Sequence, residues 1–243
     1  MKRQFKHTSV GRIEEGALFV ADSHYPHHGD EFLLLLENID SGELVTPQLF
    51  LMGDNFDLLF GYNQYIQTFS TLAIELLQKI SKKIEIYYFE GNHDFLLDTI
   101  FPSITVYPRE LQPVIFTYKD RLIGLSHGDK YMTGLFYNIY SKIVRNRYVI
   151  MLLRPFEKFI INYRMEKLSQ KNICHKFLDL SERVEAIVAC YPKVDFIIEG
   201  HFHQSKVIGE YYSLPSLACH KKIGILKNNL IDFIAIPYKK NIK

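Results

Sequence analysis

Cysteine is scarce and poorly spaced for any cofactor. Cys174, Cys190 and Cys219 are odd in number, far apart, and form no C-x-x-C pair. That excludes a zinc ribbon and a thioredoxin-like motif, and predicts buried or idle thiols in a reducing compartment. No run approaches the ~20 consecutive apolar residues of a membrane-spanning helix. The basic stretch Met1–His7 is not followed by the apolar run of a secretory signal. Both absences predict a cytoplasmic protein, at most peripheral on the inner membrane. A large charge of one sign is missing too. The net charge is +2, so no nucleic-acid partner is expected. There is no internal repeat and no low-complexity linker, which predicts one domain over residues 1–243. No feature implies an obligate protein partner.

What remains is an ordinary globular composition, 47% hydrophobic and 23% charged over 243 residues, enough for a sizeable core. Short apolar runs at Ala17–Ala21, Gln48–Met52, Ile84–Phe89 and Asp195–Ile198 read as buried strands. Helical patterns separate the first three, over Gly29–Asn38 and over Asn63–Ile80. The alternation predicts βαβ units with parallel strands. Val114–Tyr118 and Arg121–Leu125, split by Lys119-Asp120, predict a hairpin. Ser181–Cys190 predicts another helix. The tail, Lys206 to Tyr238, is β-rich and predicts a second, antiparallel sheet layer.

Residues 134–176 are of a different kind. Phe136, Ile139, Tyr140 and Ile143 recur at helical spacing, and a second run, Tyr148–Leu153, precedes Pro155. Proline should break or restart a helix there, so two or three inserted helices are expected. The segment carries nine Lys or Arg against two Glu, a net of +7, which leaves −5 for the rest of the chain. Such a face is often only a solvated one.

Each apolar run ends in side chains that bind metals. The clusters are Asp22-Ser23-His24, Gly53-Asp54-Asn55-Phe56-Asp57, Gly91-Asn92-His93-Asp94, His127-Gly128-Asp129 and Gly200-His201-Phe202-His203. In parallel α/β sheets, sites form beyond the carboxyl ends of the strands. Asp22, His24, Asp54, Asn92, His127, His201 and His203 offer two carboxylates, an amide and four imidazoles, without sulfur. That mix suits manganese, iron, zinc or related divalent ions. Seven ligands suit two ions sharing a carboxylate, ~3.5–4 Å apart, the usual clamp on a phosphate ester. His93, held just off the metals, can give a proton to a leaving oxygen. Any one of these histidines alone is more often structural; five blocks are not explained that way. His7, His27, His28, His175 and His220 read as structural, with His27 and His28 near enough to the first block to touch substrate.

Together the blocks resemble the calcineurin-like metallophosphoesterase family. Its pattern, D-x-H, G-D-x-x-D, G-N-H-D or -E, a later H, then G-H-x-H, is matched in order from Asp22 to His203. The resemblance implies an α/β fold, the four-layered αββα metallophosphoesterase sandwich, with residues 134–176 as an inserted helical cap. It implies a metal-dependent phosphoesterase. Asp22, His24 and His203 would hold one metal, and Asn92, His127 and His201 the other, with Asp54 between them. His93 would be the leaving-group acid, Asp94 would orient it, and Asp57 would stand behind the ligands. Two divalent ions are implied, Mn2+ first, with Fe or Zn as alternatives.

Within the family one branch looks closest, the UDP-2,3-diacylglucosamine diphosphatases of lipid A synthesis. Asn92-His93-Asp94-Phe95-Leu96, and His127-Gly128-Asp129 with Thr133 and Tyr137 downstream, are similar to its blocks. The insert stands where that branch carries a lipid-gripping cap. The likeness implies an acylated UDP-sugar as substrate, split at its pyrophosphate to UMP and the acylated sugar 1-phosphate. An acyl chain needs an apolar groove, and its entrance should face an anionic membrane surface. Candidate phosphate or headgroup contacts are then Arg145, Arg147, Arg154 and Lys158. The branch typically has Arg where this chain has His93, and often Asp where it has Gly134. These departures keep a second expectation open, a metallophosphoesterase acting on another ester, of a nucleotide, a phosphoprotein or nucleic acid. A scaffold that had lost catalysis would lack ligands, and none is missing.

Overall fold

The computed structural model describes residues 11–131, 134–174 and 180–236. His7, Thr133, His175 and the last residues of the tail lie outside the described residues. Along the chain come β1 (Gly11–Arg12), β2 (Leu18–Val20), α1 (Glu31–Ser41), β3 (Gln48–Leu51), β4 (Leu59–Phe60), α2 (Gln64–Gln67), α3 (Thr71–Ile80) and β5 (Glu85–Phe89). Then follow β6 (Asp94–Phe95), β7 (Thr105–Tyr107) and the hairpin of β8 (Val114–Tyr118) and β9 (Arg121–Ser126). Four helices come next: α4 (Leu135–Val144), α5 (Arg147–Leu152), α6 (Glu157–Ser169) and α7 (Leu180–Cys190). The remainder is β10 (Phe196–Glu199), β11 (Lys206–Ile208), β12 (Tyr211–Ser213), α8 (Leu217–His220), β13 (Lys222–Lys227) and β14 (Leu230–Ala235).

Two six-stranded sheets result. One has the order β14-β13-β2-β3-β5-β7, the other β1-β8-β9-β10-β12-β11. Strand alternation explains why they stack. In β2 and β3, Leu18, Val20, Leu49 and Leu51 point toward α1 and α3, with Phe32, Leu35, Leu77 and Ile80. The intervening Phe19 and Phe50 point the other way, joining Phe89, Phe116, Leu125 and Ile198 between the sheets. The outer face of the second sheet is covered by Leu180, Val184 and Ile187 of α7. The layers are therefore αββα, as the family resemblance implies.

Three expectations need correction. The helix over Asn63–Ile80 is broken by a 3-10 turn at Thr68–Ser70. Thr68 and Thr71 turn their hydroxyls onto preceding carbonyls there, which competes with regular helix. The tail does not form a sheet of its own. β11 and β12 extend the second sheet beside β10, whereas β13 and β14 join the first sheet beside β2. The reason is burial on both faces: Ile223 and Ile225 meet the helix-side core, and Leu226 and Ile231 meet the inter-sheet core. Nor are the cysteines all thiols, for Cys174 and Cys219 form a disulfide across 45 residues. Nothing in their spacing signals that pairing; it depends on where α8 and the segment after α6 come together.

Proline acts as expected in the insert. Pro155 lies in a 3-10 turn, Arg154–Phe156, that separates α5 from α6. Ile161 and Met165 of α6 then pack on Ile66 of α2, which seats the inserted helices against the sandwich.

Candidate metal centre

The five blocks converge because they follow strands of both sheets. Asp22, Asp54 and Asn92 follow β2, β3 and β5; His127 follows β9; His201 and His203 follow β10. β2, β3 and β5 are mutually parallel, as are β9 and β10. Their carboxyl ends therefore face one place. The turns there are tight. Asp22, His24, Asp54, His201 and His203 all have positive φ, between 46° and 62°. L residues seldom adopt that conformation outside constrained sites.

Glycines make the room. A Cβ on Gly91 would collide with Asp54 Oδ1, and one on Gly53, whose φ is 87°, would strike the His127 ring. Gly200 lets the His201 N–H reach Asp22 Oδ2 at 2.9 Å.

Two groups of candidate ligands emerge. Asp22, His24 and His203 bring their ligating atoms within 4.8 Å of one another, as do Asp54, His127 and His201. In the first group, His203 Nε2 is 3.2 Å from Asp22 Oδ1. In the second, His127 Nε2 is 3.2 Å from His201 Nδ1, 3.5 Å from Asp54 Oδ2 and 3.4 Å from Asn92 Oδ1. Ligands ~2.0–2.1 Å from an ion, set at the tetrahedral angle, are spaced about this far apart.

The protonation pattern fits a cation. His127 Nδ1 donates to the Met52 carbonyl at 2.9 Å, and His203 Nδ1 to the Ile173 carbonyl at 3.0 Å. Each thus turns its Nε2 inward, free to face a metal ion once its proton is displaced. His24 Nδ1 and Nε2 and Asp22 Oδ1 are buried without a hydrogen-bond partner, a costly state that a metal ion relieves. Burial, with His93 nearby, holds His24 well below the usual imidazole range. Burial and the charge of His127 push His201 down to about 4. For His127 burial acts the same way, but the carboxylates of Asp54, Asp22 and Asp129 outweigh it and raise it to about 10. Its proton sits where a divalent ion would stand.

His93 and Asp94 are placed differently from each other. His93 Nδ1 donates to the Asp57 carbonyl at 2.6 Å, which aims its ring at His24, 5.0 Å away between centroids. The expected role of Asp94 as its orienter needs correction. Asp94 accepts the N–H groups of Asp54, Asn55 and Gly91 at 2.8–3.0 Å and the Tyr88 hydroxyl at 2.6 Å. These bonds account for both oxygens, so Asp94 shapes the Asp54 turn and not His93. Asp57 stands behind His24, with Oδ1 at 3.8 Å from Nδ1. It also receives His27 Nδ1 at 2.8 Å and has His28 Nε2 at 3.5 Å. A cluster of three histidines on one carboxylate was not foreseen.

Beside Asn92 and His93 lies a cavity of about 630 Å³ between α4–α6 and the sandwich. Its walls are largely apolar, with Leu58, Phe60, Val149, Ile150 and Ile161 among them. Of the four expected contacts, only Arg145 lines it. Arg145 is half-buried, bonds the Gly91 carbonyl, lies 3.6 Å from Glu90 and covers the Phe95 ring. Arg147, Arg154 and Lys158 are exposed elsewhere on the insert. The cavity's other cations are Arg164, Lys167 and Lys171, which follow one face of α6 and its end.

A profile of the family described as Calcineurin-like phosphoesterase matches residues 17–205, most of the chain and every candidate ligand above. The chain belongs to the calcineurin-like phosphoesterases. Family members carry a dinuclear metal centre, and this phosphoesterase presents two candidate groups for it. It is similar to proteins named UDP-2,3-diacylglucosamine hydrolase. That of Histophilus somni is 26% identical, over 78% of this chain and 84% of its own. That of Pectobacterium carotovorum is 25% identical, over 91% and 99%. Among solved structures, a phosphoesterase from E. coli aligns at 17% identity and a TM-score of 0.43, covering 90% of this chain and 92% of that one.

Proposed function

We propose that this phosphoesterase cleaves the pyrophosphate of UDP-2,3-diacylglucosamine, releasing UMP and the acylated sugar 1-phosphate. The observation that carries this reading is the apolar cavity that begins at Asn92 and His93. A small, soluble ester has no use for such a wall, whereas acyl chains do. The names of the relatives agree with it. Two divalent ions, Mn2+ in preference to Fe or Zn, would be held by Asp22, His24 and His203 and by Asn92, His127 and His201. Asp54 would bridge them. When bound, such a pair supplies an activated water and neutralises phosphoryl charge. His93, fixed by Asp57, holds its other nitrogen toward the centre and serves as the leaving-group acid. Arg145 contacts a phosphoryl oxygen at the mouth of the cavity.

The residues 134–176 act as a cap over that cavity and as the face met by an anionic membrane. Phe136, Leu152, Phe156 and Phe159 are exposed there at 64–88%, among the exposed cations Arg147, Arg154 and Lys158. Basic residues beside apolar ones suit a peripheral, salt-sensitive attachment. No helix of the described residues is long and apolar enough to cross a membrane.

A second reading is favoured by His93, which stands where the lipid A branch typically has Arg. It is a phosphoesterase acting on another diester or monoester. Hydrolysis of the acylated UDP-sugar with Mn2+ and detergent, beside bis-p-nitrophenyl phosphate, separates the two. Much faster, EDTA-sensitive release of UMP is expected. Turnover of the small diester alone sinks the lipid assignment and leaves the second reading.

A further inference from the structure

Each sulfur of the Cys174–Cys219 disulfide is attached to a support of the first ligand group. Cys174 follows Ile173, whose carbonyl accepts the His203 Nδ1–H at 3.0 Å. That bond turns Nε2 toward Asp22. Cys219 lies in α8, where the Ser216 hydroxyl and the Ala218 N–H both bond the Asp22 carbonyl, at 2.8 and 3.3 Å. Cys219 Sγ is itself 3.9 Å from His203 Nδ1. The disulfide therefore joins what orients His203 to what holds Asp22. Residues 170–174 run from α6 to this point without helix or strand, so the Ile173 carbonyl depends on its anchor. The second group is oriented from inside the sandwich, with His127 set by Met52 at the end of β3.

We propose that the Cys174–Cys219 disulfide is a positioning device for His203, and that its reduction weakens the first metal group while the second stays loaded. The inference rests on assigning Asp22, His24 and His203 to one ion, and not on which ester is the substrate. The step is thiol–disulfide exchange. A dithiol gives up two electrons and two protons, the S–S bond breaks, Cys174 and Cys219 become thiols, and the dithiol closes to its own disulfide. Cys174 is exposed, so a reductant can reach it. In a reducing compartment such a bond forms and breaks reversibly, and metal loading then follows redox state. Losing the partner that orients a ligating imidazole weakens a site by about 10–100-fold.

The test uses the full chain, either oxidised or treated with dithiothreitol that is removed anaerobically before Mn2+ is added. Metal content after gel filtration gives occupancy, and electron paramagnetic resonance reports whether the ions are paired. The oxidised protein is expected to hold a coupled pair. The reduced protein, at the same free Mn2+, should hold a lone ion, with the first affinity about 10–100-fold weaker. The double variant Cys174→Ser, Cys219→Ser should behave as reduced under both treatments. Cys190→Ser, at an exposed thiol, should respond like the parent protein. A pair retained at unchanged affinity after reduction overturns the proposal. So does loss of both ions together, which marks a general staple. Absence of metal binding in either redox state overturns the ligand assignment instead.

Discussion

Asp22, His24, Asp54, His201 and His203 all hold positive φ, at about 1–3 kcal/mol each for residues with a Cβ. That cost is sustained by the bonds that fix each turn, and it makes the glycines between them as important as the ligands. Gly91→Ala is expected to displace Asp54 and strip metal, read as lost Mn2+ content with the fold retained by circular dichroism. Asp54→Ala should drop hydrolysis of bis-p-nitrophenyl phosphate to background, and near-normal turnover would break the shared-carboxylate reading. His93→Ala should keep its metals yet slow hydrolysis by about 10²–10⁴-fold for poor leaving groups, with less effect on p-nitrophenolate. Glu199 predicts a pH dependence. Burial raises it to about 7, against the hydroxyls of Tyr191 and Tyr211. Between pH 4.5 and 7 the folded chain keeps a proton that the unfolded chain releases, so stability falls as pH rises and is level above 7. In the metal-free protein, Glu199→Gln should raise Tm over the parent at pH 8 and leave it unchanged at pH 4.5.

Among the elements, α6 decides the shape of the cavity, and its seat is specific. Asn63 caps α2 by accepting the Ile66 N–H at 3.0 Å, and its amide donates to Glu157 Oε2 at 2.9 Å. Tyr65 reaches Asn162 at 2.8 Å, and His28 Nε2 reaches the Leu168 carbonyl at 3.1 Å. Asn63→Ala should cost about 1–2 kcal/mol in chemical denaturation and loosen α6 from the sandwich. This seating also explains how far the sequence was readable. The clustering of the candidate ligands was legible because each follows a buried strand, and strand ends converge by topology alone. The polar wall of the cavity was not. Charge pattern marks residues 134–176 as basic, yet Ile161 and Met165 choose which face turns inward. Arg164, Lys167 and Lys171 face the cavity for that reason, and Arg147, Arg154 and Lys158 do not. The disulfide was equally hidden, since two distant cysteines carry no register.

At the scale of the molecule, the inter-sheet core and the exposed cap pull in opposite directions. Phe50 is fully buried and stacks on Phe19 and Tyr87 at 4.8 and 4.9 Å. Phe50→Ala should cost about 3–5 kcal/mol. Phe136 and Phe159 make no such contribution, and replacing both with Ser should leave Tm nearly unchanged. It should instead weaken sedimentation with anionic vesicles, which for the parent should also decline as salt rises.

Both metal groups draw ligands from both sheets. Asp22 and His201 already touch across 179 residues of chain. At about 5–20 residues per second, a ribosome takes roughly 10–35 s to cover that interval. Throughout that time the early ligands stand open to solvent with no partner to complete either group. Neither group can therefore be complete before β10 has been made, and that late strand sets the earliest moment at which the chain can present either full set of candidate ligands.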